Sequence, residues 1–420
     1  MSVNKFFSIG LIAIASLFAT PVPNDYEYLL AQLEKQDFDY AQEKIYLHLD
    51  KPYYAPGSNL WFKAYAVAGP KHLLSPLSQN LYVELIDPAA RVIARHNIFM
   101  DKGLGQGDFK LADSLKNGTY TLRAYTNWMR NFDEDFFFKR QVELVSTITD
   151  ATGDAGKTGV AKLQFFPEGG ELIANVPSQV AFETNSLEAS GVILDGSGAE
   201  VARFEANKEG LGKFGLTPME GAKYTARLDG ESKEFKLPEV KATGLALNVD
   251  NLRDKDFVWV TVKTAERAPL HEAFLVVHTR GVVSFGSKLE WKGAFARVKI
   301  PKANIKAGVV HLTLFNMDWM PVAERLIFQH QNDKAVQLRL TRNKDTYTKR
   351  QETALKVKVI DEDGIPVKGF FSLTAFDTQQ LSPAFIKDHI QSSLLLTSDL
   401  KGLVNNPAQY FGDPNTRSDQ

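Results

Sequence analysis

The sequence predicts an all-β protein made of tandem antiparallel β-sandwich domains with a short N-terminal helix. Three observations carry this. Apolar residues alternate with period two from Lys44 to about residue 380, a strand-and-glycine pattern occurs twice, and cysteine is absent. Period-two alternation puts the apolar side chains of a strand on one face, which must then be covered. A chain of 420 residues is too long for one sandwich. It suits units of roughly 100 residues, each with its own core. With 0 cysteines those cores stand without disulfides, and thiolate metal ligands, a thiol nucleophile and an internal thioester are excluded.

At the start, Lys5, the apolar run Phe6 to Phe18, and the small residues Ala19 and Thr20 read as a secretory signal peptide over 1–20. The run is too short for a resident bilayer-spanning helix. No cysteine follows it, so lipoprotein-type acylation is excluded, and the expected location is the periplasm or the outer membrane. Within 21–42, Asn24 caps an amphipathic helix, with Glu27 closing a capping box. Tyr26, Leu29, Leu30 and Leu33 share its apolar face.

Ile45, Leu47 and Leu49 then open a first sandwich over 43–147. Its segment Gly105-Gln106-Gly107-Asp108-Phe109-Lys110-Leu111 returns as Gly210-Leu211-Gly212-Lys213-Phe214-Gly215-Leu216, 105 positions on. Each copy is followed by a Tyr-Thr strand (Tyr120 or Tyr224) and preceded by a hairpin, turning at Asp87-Pro88 or Asp195-Gly196. The repeat predicts a second sandwich over 161–241, after a Thr-, Gly-, Ala- and Asp-rich linker at 148–160. Its glycines are expected to serve tight turns with positive φ.

A third sandwich is predicted over 242–332, with strands Phe257 to Val262 and Phe274 to His278. There Val309 to Phe315 followed by Asp318-Trp319-Met320 echoes Tyr120 to Tyr125 followed by Asn127-Trp128-Met129. A partial fourth unit covers 333–380, where Lys344 to Tyr347 echoes Lys51 to Tyr54. Strand Ala354 to Ile360 then turns at Asp363-Gly364 into Val367 to Phe376. Residues 381–420 read as a helical or irregular tail, with 405–420 as polar loop, so the chain is expected to be the front of a longer protein or truncated.

The stretch Glu43-Lys44-Ile45-Tyr46-Leu47-His48-Leu49-Asp50-Lys51-Pro52-Tyr53-Tyr54-Ala55-Pro56-Gly57, running into Leu60 to Tyr65, resembles the opening of a macroglobulin MG2 domain. The likeness is to large secreted proteins of Bacteroidetes-type bacteria, and Phe165-Phe166-Pro167-Glu168-Gly169-Gly170-Glu171-Leu172 is similar to the start of their next unit. It covers roughly residues 25 to 380 and implies macroglobulin- or immunoglobulin-like sandwiches on the periplasmic or outer face of the envelope. A longer C-terminal part resembling a TonB-receptor plug follows in some such proteins. The wider α2-macroglobulin family traps proteases with a thioester. This cysteine-free chain cannot, so trapping does not transfer.

Lys and Arg total 49 against 50 for Asp and Glu, so no general attraction to nucleic acid is expected. Gly103-Leu104-Gly105-Gln106-Gly107 lacks the parallel strand and helix that a dinucleotide site needs. His271 and His278 are seven apart in a β pattern, not on one helix face as in a zincin. Asp361-Glu362-Asp363-Gly364 begins like a calcium loop, but Ser372 stands where the bidentate Glu belongs. Ser284 lacks the first glycine of a nucleophile elbow. No catalytic, metal or cofactor residues are therefore assigned.

The candidate partner-binding residues are the aromatic cluster Trp128, Met129, Phe132, Phe136, Phe137 and Phe138, together with Trp319. They form either a platform for a protein or glycan or a hairpin packed against a neighbouring domain. The expected function is a non-enzymatic envelope scaffold or binding protein. The alternatives are a front module of a TonB-linked uptake system and an exported hydrolase with a carboxylate pair. A partner is the expected route for any membrane association, and the alternative reading of the N-terminus is an uncleaved amphiphilic anchor.

Overall fold

The computed structural model describes residues 30–33, 35, 39–145, 162–265, 272–330, 336–376, 388–402 and 404–411. The signal peptide, the 148–160 linker, His271 and most of the N-terminal helix lie outside these residues. Residues 30–33 are helical, and Leu33 is buried against Val276 and Phe315.

The fold is mostly β, in tandem units with antiparallel sheets. In the first unit, Glu43–Leu49, Asn59–Ala68, Leu73–Leu74 and Leu104–Lys110 form one sheet. A five-stranded sheet faces it, in the order Tyr53–Tyr54, Phe138–Leu144, Gly118–Thr126, Asn80–Ile86, Val92–Phe99. Alternating side chains from both sheets, among them Leu47, Leu60, Leu81 and Leu122, meet in one core. The second unit pairs Leu163–Pro167, Ser178–Thr184 and Leu211–Leu216 on one side. Glu200–Glu205, Ser190–Leu194, Thr225–Leu228 and Glu234–Lys236 face them, over Phe182, Ile193 and Phe214. The third sets Ala246–Asp250, Phe257–Lys263, Phe295–Pro301 and Trp291–Lys292 against Val282–Lys288, Phe274–Thr279, Gly308–Phe315 and Pro321–Gln329, over Val260, Leu275 and Leu312.

The repeated glycine motif occupies equivalent strands, and Phe109 and Phe214 are each buried in their own core. Its glycines have two jobs rather than the single turn role expected. Gly210 takes positive φ (78°), as does Gly103 just before the first copy (83°), whereas Gly105, Gly107 and Gly212 lie within strands. Gly107 pairs with Phe62 and Gly212 with Phe182, and a Cβ there would stand 2.7 Å and 2.4 Å from those rings. The glycine makes room for a cross-strand aromatic ring.

The hairpins at Asp87, Asp195 and Asn316 share one device. In each, the side-chain Oδ1 accepts two backbone N–H groups, from Ala89 and Arg91, Ser197 and Ala199, or Asp318 and Met320. The residue three further on (Ala90, Gly198 or Trp319) is left-handed, and the ladder slips by one beside it. This is a type I turn closed by a bulge. The predicted echo between Trp128 and Trp319 is therefore local to sequence. Trp128 opens a 3-10 turn, Trp128–Asn131, while Trp319 sits at a hairpin corner.

In the fourth unit, Gln337–Arg342 and Leu355–Ile360 form a two-stranded ribbon. The strand expected over 367–376 does not form. Only Val367 bonds to the ribbon, through Val359 O, and Ser372 and Thr374 bond instead to His48, Tyr65 and Leu49 O of the first unit. In the tail, read from sequence as helical or irregular, helix Ile390–Leu395 is followed by 3-10 turns at Thr397–Asp399 and Pro407–Phe411, and the last of these lies in the stretch expected to be polar loop.

Candidate functional site

The aromatic cluster lies between strands Gly118–Thr126 and Phe138–Leu144, where two 3-10 turns wind the chain tightly. Met129, Phe137 and Phe138 belong to the core of the first unit, with Phe137 stacked on Tyr125 at 4.5 Å. A side chain closed in the core meets no partner, so these three are withdrawn as binding residues. Their apolar surface closes the end of the sandwich. Trp128, Phe132 and Phe136 remain half-buried. The Trp128 indole N–H donates to Ala41 O at 2.9 Å, and Lys401 lies 5.8 Å from the Phe136 ring. Trp319 is half-buried beside Phe274, at 4.8 Å between ring centres.

The turns carrying this cluster are held by the tail. Lys401 pairs with Asp133 at 2.6 Å, Asp388 with Arg140 at 2.6 Å, and Asp399 with buried Lys44 at 2.5 Å. Lys44 also donates to Leu394 O at 3.2 Å. Gln409 donates to Glu209 of the second unit at 3.0 Å, and Phe411 packs on Phe328 of the third at 5.3 Å. One segment thus touches three sandwiches. Sequence reading missed it, because a polar tail carries no periodic signal and its partners are hundreds of positions away.

The Pro167-Glu168-Gly169 corner joins units two and three. Glu168 accepts Val249 N–H at 2.8 Å and Asn248 Nδ2 at 2.7 Å. Gly169 has φ 86°, and a Cβ there would meet Leu247 at 3.0 Å. Arg280 joins units three and one by donating to Pro70 O at 3.1 Å.

Several carboxyls are held by neighbouring donors. Burial pushes the Glu84 carboxyl up, but hydrogen bonds from Arg123 and Arg95 outweigh it and hold Glu84 below the ordinary range. Glu324 behaves the same way, with His311 and Thr313 as donors. Arg91 and Lys401 pull down Asp87 and Asp133. These carboxyls favour the ionised state, because the donors beside them stabilise the charged form. Buried Glu43 accepts hydroxyls from Ser75, Ser78 and Thr126 at 2.5–2.6 Å, which satisfies both oxygens. Among the described residues no group of three or more His, Asp or Glu side chains could hold a metal.

An open cavity of about 950 Å³ lies where units two and three meet, with Asp195, Met219, Lys223, Asn248 and Lys263 in its wall. A smaller one of about 610 Å³ runs over the first unit between Lys63, Ile98 and Phe370. Among the described residues, the largest concentration of exposed apolar side chains is elsewhere, on the fourth unit. Leu338, Leu340, Leu355, Val357, Ile365 and Phe370 are all exposed there.

No protein-family model and no curated protein matches this sequence. Among solved structures, the chain is similar to native E. coli α2-macroglobulin at 9% identity, covering 77% of this chain and 25% of that one, with a TM-score of 0.23. It is similar to dimeric latent PorU from Porphyromonas gingivalis at 9% identity, covering 68% and 33%, with a TM-score of 0.30. A tetra-tandem repeat from the extending region of a large adhesion protein matches at 11% identity, covering 78% and 90%, with a TM-score of 0.21. The chain spans about a quarter of the length of that α2-macroglobulin.

Proposed function

We propose that this chain is an exported, non-enzymatic scaffold or binding protein of the bacterial cell envelope, whose macroglobulin-like units present their faces to a protein or glycan partner. The observation that carries this is the cross-bracing. Lys44–Asp399, Arg140–Asp388 and Lys401–Asp133 tie the tail to unit one, and Gln409–Glu209 ties it to unit two. Two of the three ion pairs have both partners largely buried, so solvent screening weakens them less than exposed pairs. A braced row of sandwiches holds its loops at fixed separations, which suits binding, because recognition residues ride on loops fixed by a scaffold. Carboxyls held in the ionised state by cations and hydroxyls support the non-enzymatic reading.

The test is fractionation of the native envelope with crosslinking and mass spectrometry. Expected is recovery from periplasmic or outer-membrane fractions, with residues 1–20 removed and a specific crosslinked partner. Recovery from the cytosol with the N-terminus intact would overturn the exported reading. Turnover of an envelope polymer by the purified chain would overturn the non-enzymatic one.

A further inference from the structure

The outer face of one sheet of unit three gathers charge of one sign around an exposed ring. Phe257–Lys263 and Phe295–Pro301 turn Val258, Val260, Val262, Ala296 and Ile300 into the core. The alternate residues face outward, among them Trp259, Thr261, Lys263, Phe295, Arg297 and Lys299. Phe295 has Lys263 opposite it on one neighbouring strand and Lys292 on the other, with Arg297 two residues along. Strand spacing puts the Cα atoms of these three cations about 5–7 Å from that of Phe295. The Phe295 ring is 42% exposed, and Lys263, Lys292 and Arg297 make no ion pair among the described residues. Both sheets of this unit close on one core, so the face is the solvent side of a finished sandwich.

None of the strands Phe257–Lys263, Trp291–Lys292 and Phe295–Pro301 carries an acidic residue. Asp250, Asp254 and Asp256 stand at the end of the face away from Phe295, and Glu290 precedes Lys292. The aromatic side chains at that far end are engaged. Lys299 lies 3.6 Å over the Phe257 ring and 5.1 Å from Trp259, whose indole N–H donates to Asp254 Oδ2 at 3.1 Å. One ring among three cations does not suit single-stranded nucleic acid, which stacks successive bases on several rings. It suits an acidic sugar, whose C–H face covers a ring and whose carboxylate takes charge-assisted hydrogen bonds.

The face leads into the joint between units. Ala246, opposite Lys263 on its other side, is buried against Ile173 and Val176 of unit two. Lys263 therefore stands in the wall of the cleft of about 950 Å³, with Gln179, Lys223 and Asn248. Among the described wall residues the one carboxylate, Asp195, accepts the N–H groups of its own turn.

We propose that the face carrying Lys263, Lys292, Phe295 and Arg297 binds an acidic, carboxylate-bearing polysaccharide. One sugar stacks on Phe295, and the chain continues past Lys263 into the cleft toward Lys223. This rests on the binding-protein reading and names the chemistry of its glycan partner.

The test measures binding of a galacturonic acid hexamer to the full chain by calorimetry. A neutral glucose hexamer, an oligothymidylate of equal charge and phosphatidylglycerol vesicles are the comparisons. The expected result is saturable binding of the acidic hexamer, at least about tenfold tighter than any of these and weakened by salt. Phe295→Ala should weaken it about threefold to tenfold. Replacing Lys263, Lys292 and Arg297 together by Gln should weaken it at least about tenfold. A chain with Lys116→Gln, Lys208→Gln and Lys306→Gln loses the same charge elsewhere and should bind as the parent does. All these side chains are exposed or half-buried, so each variant should keep the parental thermal melt, which serves as the folding control. No binding of the acidic hexamer would overturn the proposal, as would an equal loss in the chain altered elsewhere. Tighter binding of the oligothymidylate or of the vesicles would assign the face to nucleic acid or to a membrane surface and overturn it too. Failure here, with a protein partner crosslinked to another face, would leave the scaffold reading standing while this one falls.

Discussion

Tyr54 and Tyr347 donate the same hydrogen bond, each to the side chain four residues upstream: 2.7 Å to Asp50 Oδ1 and 2.7 Å to Asn343 Oδ1. Each hydroxyl also accepts the N–H three residues before it, from Lys51 or Lys344 at 3.3 Å. Asp50 and Asn343 then each accept the N–H eleven residues on, from Trp61 or Ala354. One corner is built twice, but only Tyr54 is buried. Tyr54→Phe should cost about 1.5–3 kcal/mol, because it removes a bond to a charged acceptor. Tyr347→Phe, at an exposed corner, should stay within about 0.5 kcal/mol. Urea unfolding of both variants checks this, and equal losses would break the argument.

These paired corners show what could be read in the sequence. Lys51 to Tyr54 and Lys344 to Tyr347 are local patterns whose spacing reports a backbone shape, so the echo between first and fourth units was legible. The Phe109 and Phe214 repeat was legible for the same reason. The Phe62 ring over Gly107 was not, because it joins residues 45 apart in sequence through strand pairing. Nor was the burial of Phe137 and Phe138, since an aromatic run looks alike whether it closes a core or faces solvent. Asp399 reaching Lys44 lies beyond any periodicity.

The glycine beneath a ring can be tested directly. Gly212→Ala would place a Cβ 2.4 Å from both the Phe182 ring and Glu205 O, and the latter is backbone that cannot swing aside. For Gly107→Ala the three nearest atoms all belong to side chains, those of Phe62 and Ile98. Overpacking of this kind costs about 1–3 kcal/mol, so Gly212→Ala should stand at the upper end and Gly107→Ala at the lower. Thermal unfolding that reversed this order would remove the ring-over-glycine account.

Ala90 and Gly198 hold the same corner of the same turn, with φ of 62° and 85°. Left-handed geometry costs an L-residue about 1–2 kcal/mol, partly offset by the larger entropy of an unfolded glycine. Ala90→Gly should therefore stabilise by about 0.5–1 kcal/mol, and Gly198→Ala should destabilise by a similar amount. Nothing lies within 4 Å of a Cβ at Gly198, so sterics would not confuse the reading. Matching changes of the same sign in denaturation midpoints would count against the turn assignment.

Acid should weaken the fold well before the carboxylates titrate. Burial, with Lys44 beside it, lowers His72 to about 3, and burial with His311 close by lowers His278 to about 3. An unfolded histidine takes its proton near pH 6.5. The unfolded state therefore binds more protons between pH 6.5 and about 3, and stability present above that window is lost as pH falls through it. Each histidine adds a slope of up to about 1.4 kcal/mol per pH unit. His72→Asn keeps an acceptor for Lys44 and tolerates the positive φ of 49° at this site, so it should flatten the slope by about one proton. Unfolding free energies measured from pH 7 to 4 decide this, and an unchanged slope in the variant would refute the assignment.

Lys44 and Asp399 offer the sharpest test of the tail as a brace. Their side chains are 6% and 11% exposed, so removing one partner leaves the other charge in a place water hardly reaches. Breaking a buried pair costs about 3–5 kcal/mol when the structure cannot relax. Here it can, because lifting residues 388–411 rehydrates Lys44 without opening the sandwich of unit one, whose core draws on none of them. Asp399→Asn should therefore act locally: faster proteolysis and hydrogen exchange across 388–402, with the main unfolding transition nearly unmoved. Replacing both partners, Lys44→Met with Asp399→Leu, substitutes an apolar contact of similar volume and should return the tail to parental protection. Loss of the whole first unit in the single variant would mean that the tail belongs to its folding core. Failure of the double replacement to rescue would mean that charge pairing, rather than relief of a buried charge, holds the segment down.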